Sequence, residues 1–115
     1  KMFATMVYPI EEFDLAKAEE WALEAETFEL IDTLCFRLVR YINGSEELVH
    51  KYMESIEAKM RYFAYRLAMN LLILRKISNT DKLYSAAKKE VDSSKTITLK
   101  QIANQIVQEV EFMLE

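Results

Sequence analysis

Apolar residues recur at alternating steps of four and three over three stretches of the chain. Val49, Met53, Ile56, Met60, Phe63, Leu67, Asn70 and Leu74 form one row, with a single polar member. Trp21, Glu24, Phe28, Ile31, Cys35, Leu38 and Ile42 form a second, and Leu99, Ala103, Ile106, Val110 and Met113 a third. Such spacing keeps one stripe turned toward a neighbouring helix, as in antiparallel bundles. Punctuation between the rows sets the predicted bounds. Pro9 suits a helix start, Gly44 in "NGS" a left-handed stop, and Ser45 a cap with Glu46 and Glu47 behind it. "SNTD" at 78–81 stops one helix and caps another, while Thr98 and Gln101 stand in a capping-box relation. The prediction is one all-α domain over 1–115: an apolar tail (1–8), helices at 9–42 and 46–77, a short helix at 81–91 and a last one at 98–114.

Folded about Gly44, the two long helices make an elongated antiparallel hairpin. The two shorter helices cover it in a four-helix bundle-like arrangement. A helix of some 32 residues spans about 48 Å, well beyond the diameter of an ordinary domain this size. The second helix is also apolar far beyond one stripe, because Tyr62, Tyr65, Met69, Leu72 and Ile73 lie off the seam. Two short helices leave part of that surface open. These five residues are therefore a candidate interface, and oligomerisation is expected to complete the bundle, as a homodimer or with another protein.

Two polar residues interrupt the apolar run "YFAYRLAMNLLIL" at 62–74, namely Arg66 and Asn70. An antiparallel register sets Glu24 opposite them, with Glu20 one turn away. The expectation is a buried polar layer of Glu20, Glu24, Arg66 and Asn70. A carboxylate there is costly to bury alone, and a guanidinium with an amide satisfies it. Such a layer adds little stability but penalises every other register.

Composition narrows the class further. With 51% apolar and 30% charged residues, the chain has the make-up of a globular domain. A single glycine and a single proline argue against turn-rich β architectures. The lone Cys35 excludes an intramolecular disulfide or a cysteine-built zinc cage within one chain, and it suits a reduced, cytoplasmic setting. No run reaches the roughly 20 apolar residues that span a bilayer, so no membrane role is expected.

Candidate chemistry is sparse. Glu20, Glu24, Glu29 and Asp32 resemble the paired carboxylates of all-α nucleotide pyrophosphohydrolases only loosely, since both acidic steps fall on one predicted helix. Glu47-x-x-His50 has the spacing used in di-iron bundles, but those sites need a second such step and two more glutamates, so a solvated histidine is expected. Cys35, on the seam between Ile31 and Leu38, reads as a buried, inert thiol. One glycine rules out a Gly-rich phosphate loop. No catalytic residue, metal ligand or cofactor is assigned.

Charge is distributed unevenly. Residues 11–32 hold nine acids against Lys17 alone, net −8, and residues 75–100 hold seven bases against three acids, net +4. Lys82, Lys88, Lys89, Lys95 and Lys100 form a candidate basic patch. Nucleic-acid contact is not favoured, because the whole chain is −4 and the basic stretch has only Tyr84 as an aromatic. The expected function is a non-enzymatic helical interaction or assembly protein, an adaptor or regulatory subunit. The alternatives are a basic helical subunit of a nucleic-acid-binding complex and an all-α carboxylate-metal nucleotide hydrolase.

Overall fold

Six helices and one short 3₁₀ turn make up residues 14–114, which the computed structural model describes. The expected apolar tail at 1–8 and the helix start at Pro9 lie outside the described residues. The helices are α1 (Leu15–Glu24), α2 (Phe28–Arg37), α3 (Glu46–Tyr52), α4 (Ala58–Leu74), α5 (Thr80–Ser93) and α6 (Ile97–Leu114), with the 3₁₀ turn at Val39–Tyr41. The all-helical class holds among the described residues. The elongated hairpin does not, because each expected long helix is broken in two.

The first break lies between Glu24 and Phe28, where no glycine or proline marks it. Thr27 caps α2, its hydroxyl accepting from the Leu30 amide at 3.2 Å. On the other side Lys59 donates its Nζ to the carbonyls of Leu23, at 2.7 Å, and Ala25, at 3.1 Å. Those carbonyls end α1 without helical partners, so a cation from α4 supplies what a continued helix would have supplied. The second break, between Tyr52 and Ala58, is held similarly. Arg61 Nη1 donates to the carbonyls of Ser55 and Ile56 at 2.9 and 3.0 Å. Ile56, a member of the expected seam, is consequently left 97% exposed.

These breaks reverse the expected register. Going up α4, Lys59 meets Leu23 and Ala25, Tyr62 stacks on Phe28 with centroids 4.3 Å apart, and Arg66 pairs with Asp32. The partners on α2 advance together with those on α4, so α2 runs parallel to α4, while Lys59 fixes only the end of α1. The antiparallel neighbour of α4 is the short α3: Glu46 at its start shares a cleft with Leu71 and Lys76 at the end of α4, and Tyr52 at its end sits edge-on to Phe63. α4 is thus the central element, packed against α1, α2, α3 and α6, while α5 and α6 form an antiparallel pair. Tyr84 on α5 reaches Glu111 on α6 at 2.6 Å. The result measures 38 × 28 × 19 Å with a radius of gyration of 13.4 Å. An unbroken rod of about 48 Å would not fit within it.

Most seam positions within the helices face inward as expected, Glu24 and Leu74 being the exceptions. Ile31, Cys35, Leu38, Met60, Phe63 and Leu67 are buried, as are Leu99, Ala103, Ile106 and Val110. Cys35 is buried as expected, its thiol donating to the Phe63 carbonyl at 3.9 Å. Burial, reinforced by Asp32, pushes that thiol far above its ordinary range and makes it a poor nucleophile.

The turns differ in detail. Gly44 takes φ +80°, the left-handed value that favours glycine. Ser45 is buried and makes no side-chain cap to α3, and Thr98 lies inside α6 rather than before it. Asn79 does cap α5, accepting from the Lys82 amide.

The fastening at the start of α3 is Glu46. Its carboxylate accepts from the Ser78 amide and hydroxyl, the Asn79 amide and, at 2.9 Å, His50 Nε2. His50 is therefore half-buried against Glu46, not solvated and not directed at Glu47. Burial alone would raise the Glu46 pKa, but the hydrogen bonds from His50, Asn79 and Ser78 outweigh it and hold the carboxyl at about 2, below its ordinary 4.5. A lowered acid stabilises the fold above its unfolded pKa and loses that contribution on protonation. The Glu46 contribution is accordingly full above about pH 4.5 and disappears toward pH 2. Glu46→Gln is expected to cost about 1.5–3 kcal/mol at neutral pH, the worth of hydrogen bonds to a charged group. In a pH series of urea unfolding, the gap between variant and parent should close as the pH falls through that window.

α4 ends in an unusual way. Arg75 adopts φ 58° and ψ 42°, the left-handed conformation that glycine normally supplies at this position. Its amide donates to the Leu72 carbonyl at 3.1 Å, and the Lys76 amide reaches the Leu71 carbonyl at 2.8 Å. This is a Schellman cap built on an arginine. Arg75→Gly is expected to raise stability by about 1 kcal/mol, measured as an upward shift in Tm.

Candidate functional site

The parallel register decides where the chemistry-bearing residues fall. Arg66 meets Asp32 instead of Glu24: its Nε lies 2.9 Å from Asp32 Oδ1, in ion-pair range but too misaligned for a hydrogen bond. Arg66 Nη2 donates to the Tyr62 hydroxyl at 3.0 Å, and that hydroxyl donates to Asp32 at 2.6 Å. Asn70 turns back on its own helix and donates to the Arg66 carbonyl at 2.9 Å. Glu20 and Glu24 are exposed on α1. The expected polar layer of Glu20, Glu24, Arg66 and Asn70 is therefore replaced by Asp32, Tyr62 and Arg66, because α2 runs alongside α4 in the same sense.

The expected interface is largely core. Tyr62, Tyr65 and Leu72 are buried, Met69 is half-buried, and only Ile73 faces outward. The second long helix is apolar on many sides because four other helices enclose it.

One cleft of about 510 Å³ opens between the α3–α4 loop and the α5–α6 loop. Its floor is an ion pair, Arg61 Nε to Glu90 Oε1 at 2.8 Å, with Glu90 only 6% exposed. The Tyr65 hydroxyl lies 2.9 Å from the Met53 carbonyl and 3.4 Å from Glu90. Burial, and then the negative Glu90, push that hydroxyl well above the phenolic range, so it stays protonated. Arg61 spends its donors on Glu90 and on the two loop carbonyls. The floor thus ties a loop down.

The five lysines of the expected basic patch are all exposed, but they do not share one site. Lys89 and Lys95 rim this cleft, whereas Lys82 lines another with His50 and Asp81. Lys88 lies over the Tyr84 ring, and Lys100 is on α6. Among the described residues no three His, Cys, Asp or Glu side chains gather where they could hold a metal ion.

A different surface stands out where α2, α4 and α6 all finish. Phe36 (53% exposed), Tyr41 (46%), Ile73 (66%), Leu74 (36%) and Phe112 (70%) lie there. The pairings of Phe28 with Tyr62 and Asp32 with Arg66, carried forward one turn, bring Phe36 level with Asn70, and Ile42 after the 3₁₀ turn shares a cleft with Leu71 and Lys76. Phe112 shares a shallow groove with Met69, one turn before Ile73. Arg40 organises the aromatic part, its guanidinium 4.1 Å from the Phe36 centroid and 4.8 Å from that of Tyr41. Its Nη2 donates to the Tyr41 hydroxyl at 2.7 Å, while its Nε is buried with no partner. Sequence reasoning missed this surface except for Ile73. The available signal was the triplet Phe36, Arg40 and Tyr41, in which Phe36 falls off the apolar seam beside Cys35.

No family model matches the chain, and no curated protein or solved structure is detectably similar to it. Among the described residues, no helix is long and apolar enough to cross a membrane.

Proposed function

We propose that this is a non-enzymatic interaction protein, an adaptor or regulatory subunit, that binds another protein through the end of the fold where α2, α4 and α6 finish. The observation that carries the reading is that, among the described residues, five of the eight large apolar side chains left exposed lie at that end, the other three being Leu23, Ile56 and Ile97. Isolated exposed apolar residues need no explanation, but several at one end of the fold with an aromatic-stacked arginine among them have the composition of an interface core. A reduced compartment such as the cytoplasm suits the buried thiol. The basic-subunit alternative loses support because its lysines are dispersed. The hydrolase alternative does so because Glu20 and Glu24 point outward while Asp32 is engaged by Arg66 and Tyr62.

The test is site-specific photocrosslinking in native extract, with the photoreactive residue placed at Ile73 and, as a control, at the exposed Asn104. Protein adducts confined to position 73 support the reading. Equal yields at the two positions, or none, overturn it. The mass of an adduct also separates a foreign partner from a second copy, the case in which oligomerisation completes the fold.

A further inference from the structure

The end of the fold where α2, α4 and α6 finish carries both signs of charge. Arg37, Arg40, Arg75 and Lys76 lie there, and so do Glu46, Glu47, Glu109 and Glu111. Four bases and four acids cancel, so the end as a whole selects neither an acidic nor a basic partner. Their placement is uneven. Glu46 is taken up by His50, Ser78 and Asn79, and Lys76 shares its cleft. Glu111 accepts from Tyr84 on α5, Glu47 belongs to α3, and Arg75 closes α4. Beside the exposed apolar side chains there remain Arg37 and Arg40 with Phe36 on the α2 margin, and Glu109 with Phe112 on the α6 margin.

α4 separates the two margins, since α2 and α6 pack on it rather than on each other. Tyr62 and Arg66 of α4 meet α2, and Met69 shares the groove of Glu109 and Phe112. Positions 62, 66, 69 and 73 follow one stripe of a helix, so Ile73 stands between the margins, 66% exposed.

We infer that this end is the contact between two copies of the chain, related by a two-fold axis passing near Ile73. Such an axis lays the α2 margin of each copy on the α6 margin of the other. Phe36 then meets Phe112, and Arg37 faces Glu109, twice over. A surface with one basic and one acidic margin is its own complement under that operation. A partner of a single charge would be attracted at one margin and repelled at the other. The inference rests on the reading above and commits its occupant to a second copy. The five exposed apolar side chains present on the order of 500 Å², short of the roughly 800 Å² per partner of a standard interface, so the dimer is weak, with a Kd of about 10–100 µM.

Sedimentation equilibrium of the full chain tests this. The parent is expected to be monomeric at about 1 µM and largely dimeric at about 500 µM. Arg37→Glu and Glu109→Arg, each alone, should weaken association at least about tenfold, because each sets like charges together at both contacts. An equimolar mixture of the two variants should associate as the parent does, since every contact in the mixed pair again joins opposite charges. Recovery in the mixture also shows that both variants are folded. Phe36→Ser with Ile73→Ser should abolish association.

Failure of the mixture to recover what the single variants lose overturns the two-fold arrangement. Association lost with the serine pair but indifferent to both charge reversals overturns it equally. Association that none of these substitutions changes places the contact elsewhere and overturns the inference. So does a parent that stays monomeric at about 500 µM. In that last case a foreign adduct at position 73 leaves the interaction reading standing, and the absence of any adduct there removes both.

Discussion

Phe63→Ala is expected to lower the unfolding free energy by about 3–5 kcal/mol, the range for deleting a fully buried aromatic ring. Phe63 has no exposed surface and stands where three helices meet. It lies on α4, the Tyr52 ring of the α3 side sits edge-on to it at 6.3 Å, and its carbonyl receives the Cys35 thiol from α2. Truncation leaves a void that none of the three can close alone, because each is fixed by separate contacts. A domain of this size commonly has only about 5–15 kcal/mol of stability, so the variant will be marginal. Phe63→Leu, which keeps most of the volume, should cost under about 1.5 kcal/mol. Urea unfolding of both variants checks the pair. Similar losses for the two would show that the position is not enclosed as described.

Arg61→Met is the second large effect, again about 3–5 kcal/mol, the usual result of stranding one member of a buried ion pair. Glu90 would remain almost wholly buried with its cation gone, and the carbonyls of Ser55 and Ile56 would lose their donor. The two contributions can be separated. The double variant Arg61→Met with Glu90→Leu removes the stranded carboxylate, so it should recover much of the loss. What persists in the double variant is the share owed to the loop carbonyls. If the double variant is less stable than the single one, the ion pair is not the source of the cost.

Much of the core was legible from apolar spacing alone, since the four-three rows of α2, α4 and α6 turn inward except at Leu74. Gly44 and Asn79 were equally readable, because left-handed turns and side-chain caps are local properties. The breaks after Glu24 and Tyr52 were not. Neither carries glycine or proline, and what stabilises them is remote in sequence: Lys59 for the first and Arg61 for the second. A pattern continuous across a break reads as one helix until the tertiary donor is known. That error propagated. Two unbroken rods joined at Gly44 must be antiparallel, so Glu24 was set against Arg66, whereas the folded-back α3 makes α2 and α4 parallel and delivers Asp32. The interaction surface was hidden for the same reason, because only parallel helices bring Phe36 and Ile73 to one end.

Lys59 and Arg61 belong to the same turn of α4, and each holds a different break by its backbone carbonyls. Fraying of that single turn would release the end of α1 and the α3–α4 loop at the same moment. Amide hydrogens on either side of the two kinks, thirty residues apart along the chain, should therefore exchange with solvent deuterium as one opening unit.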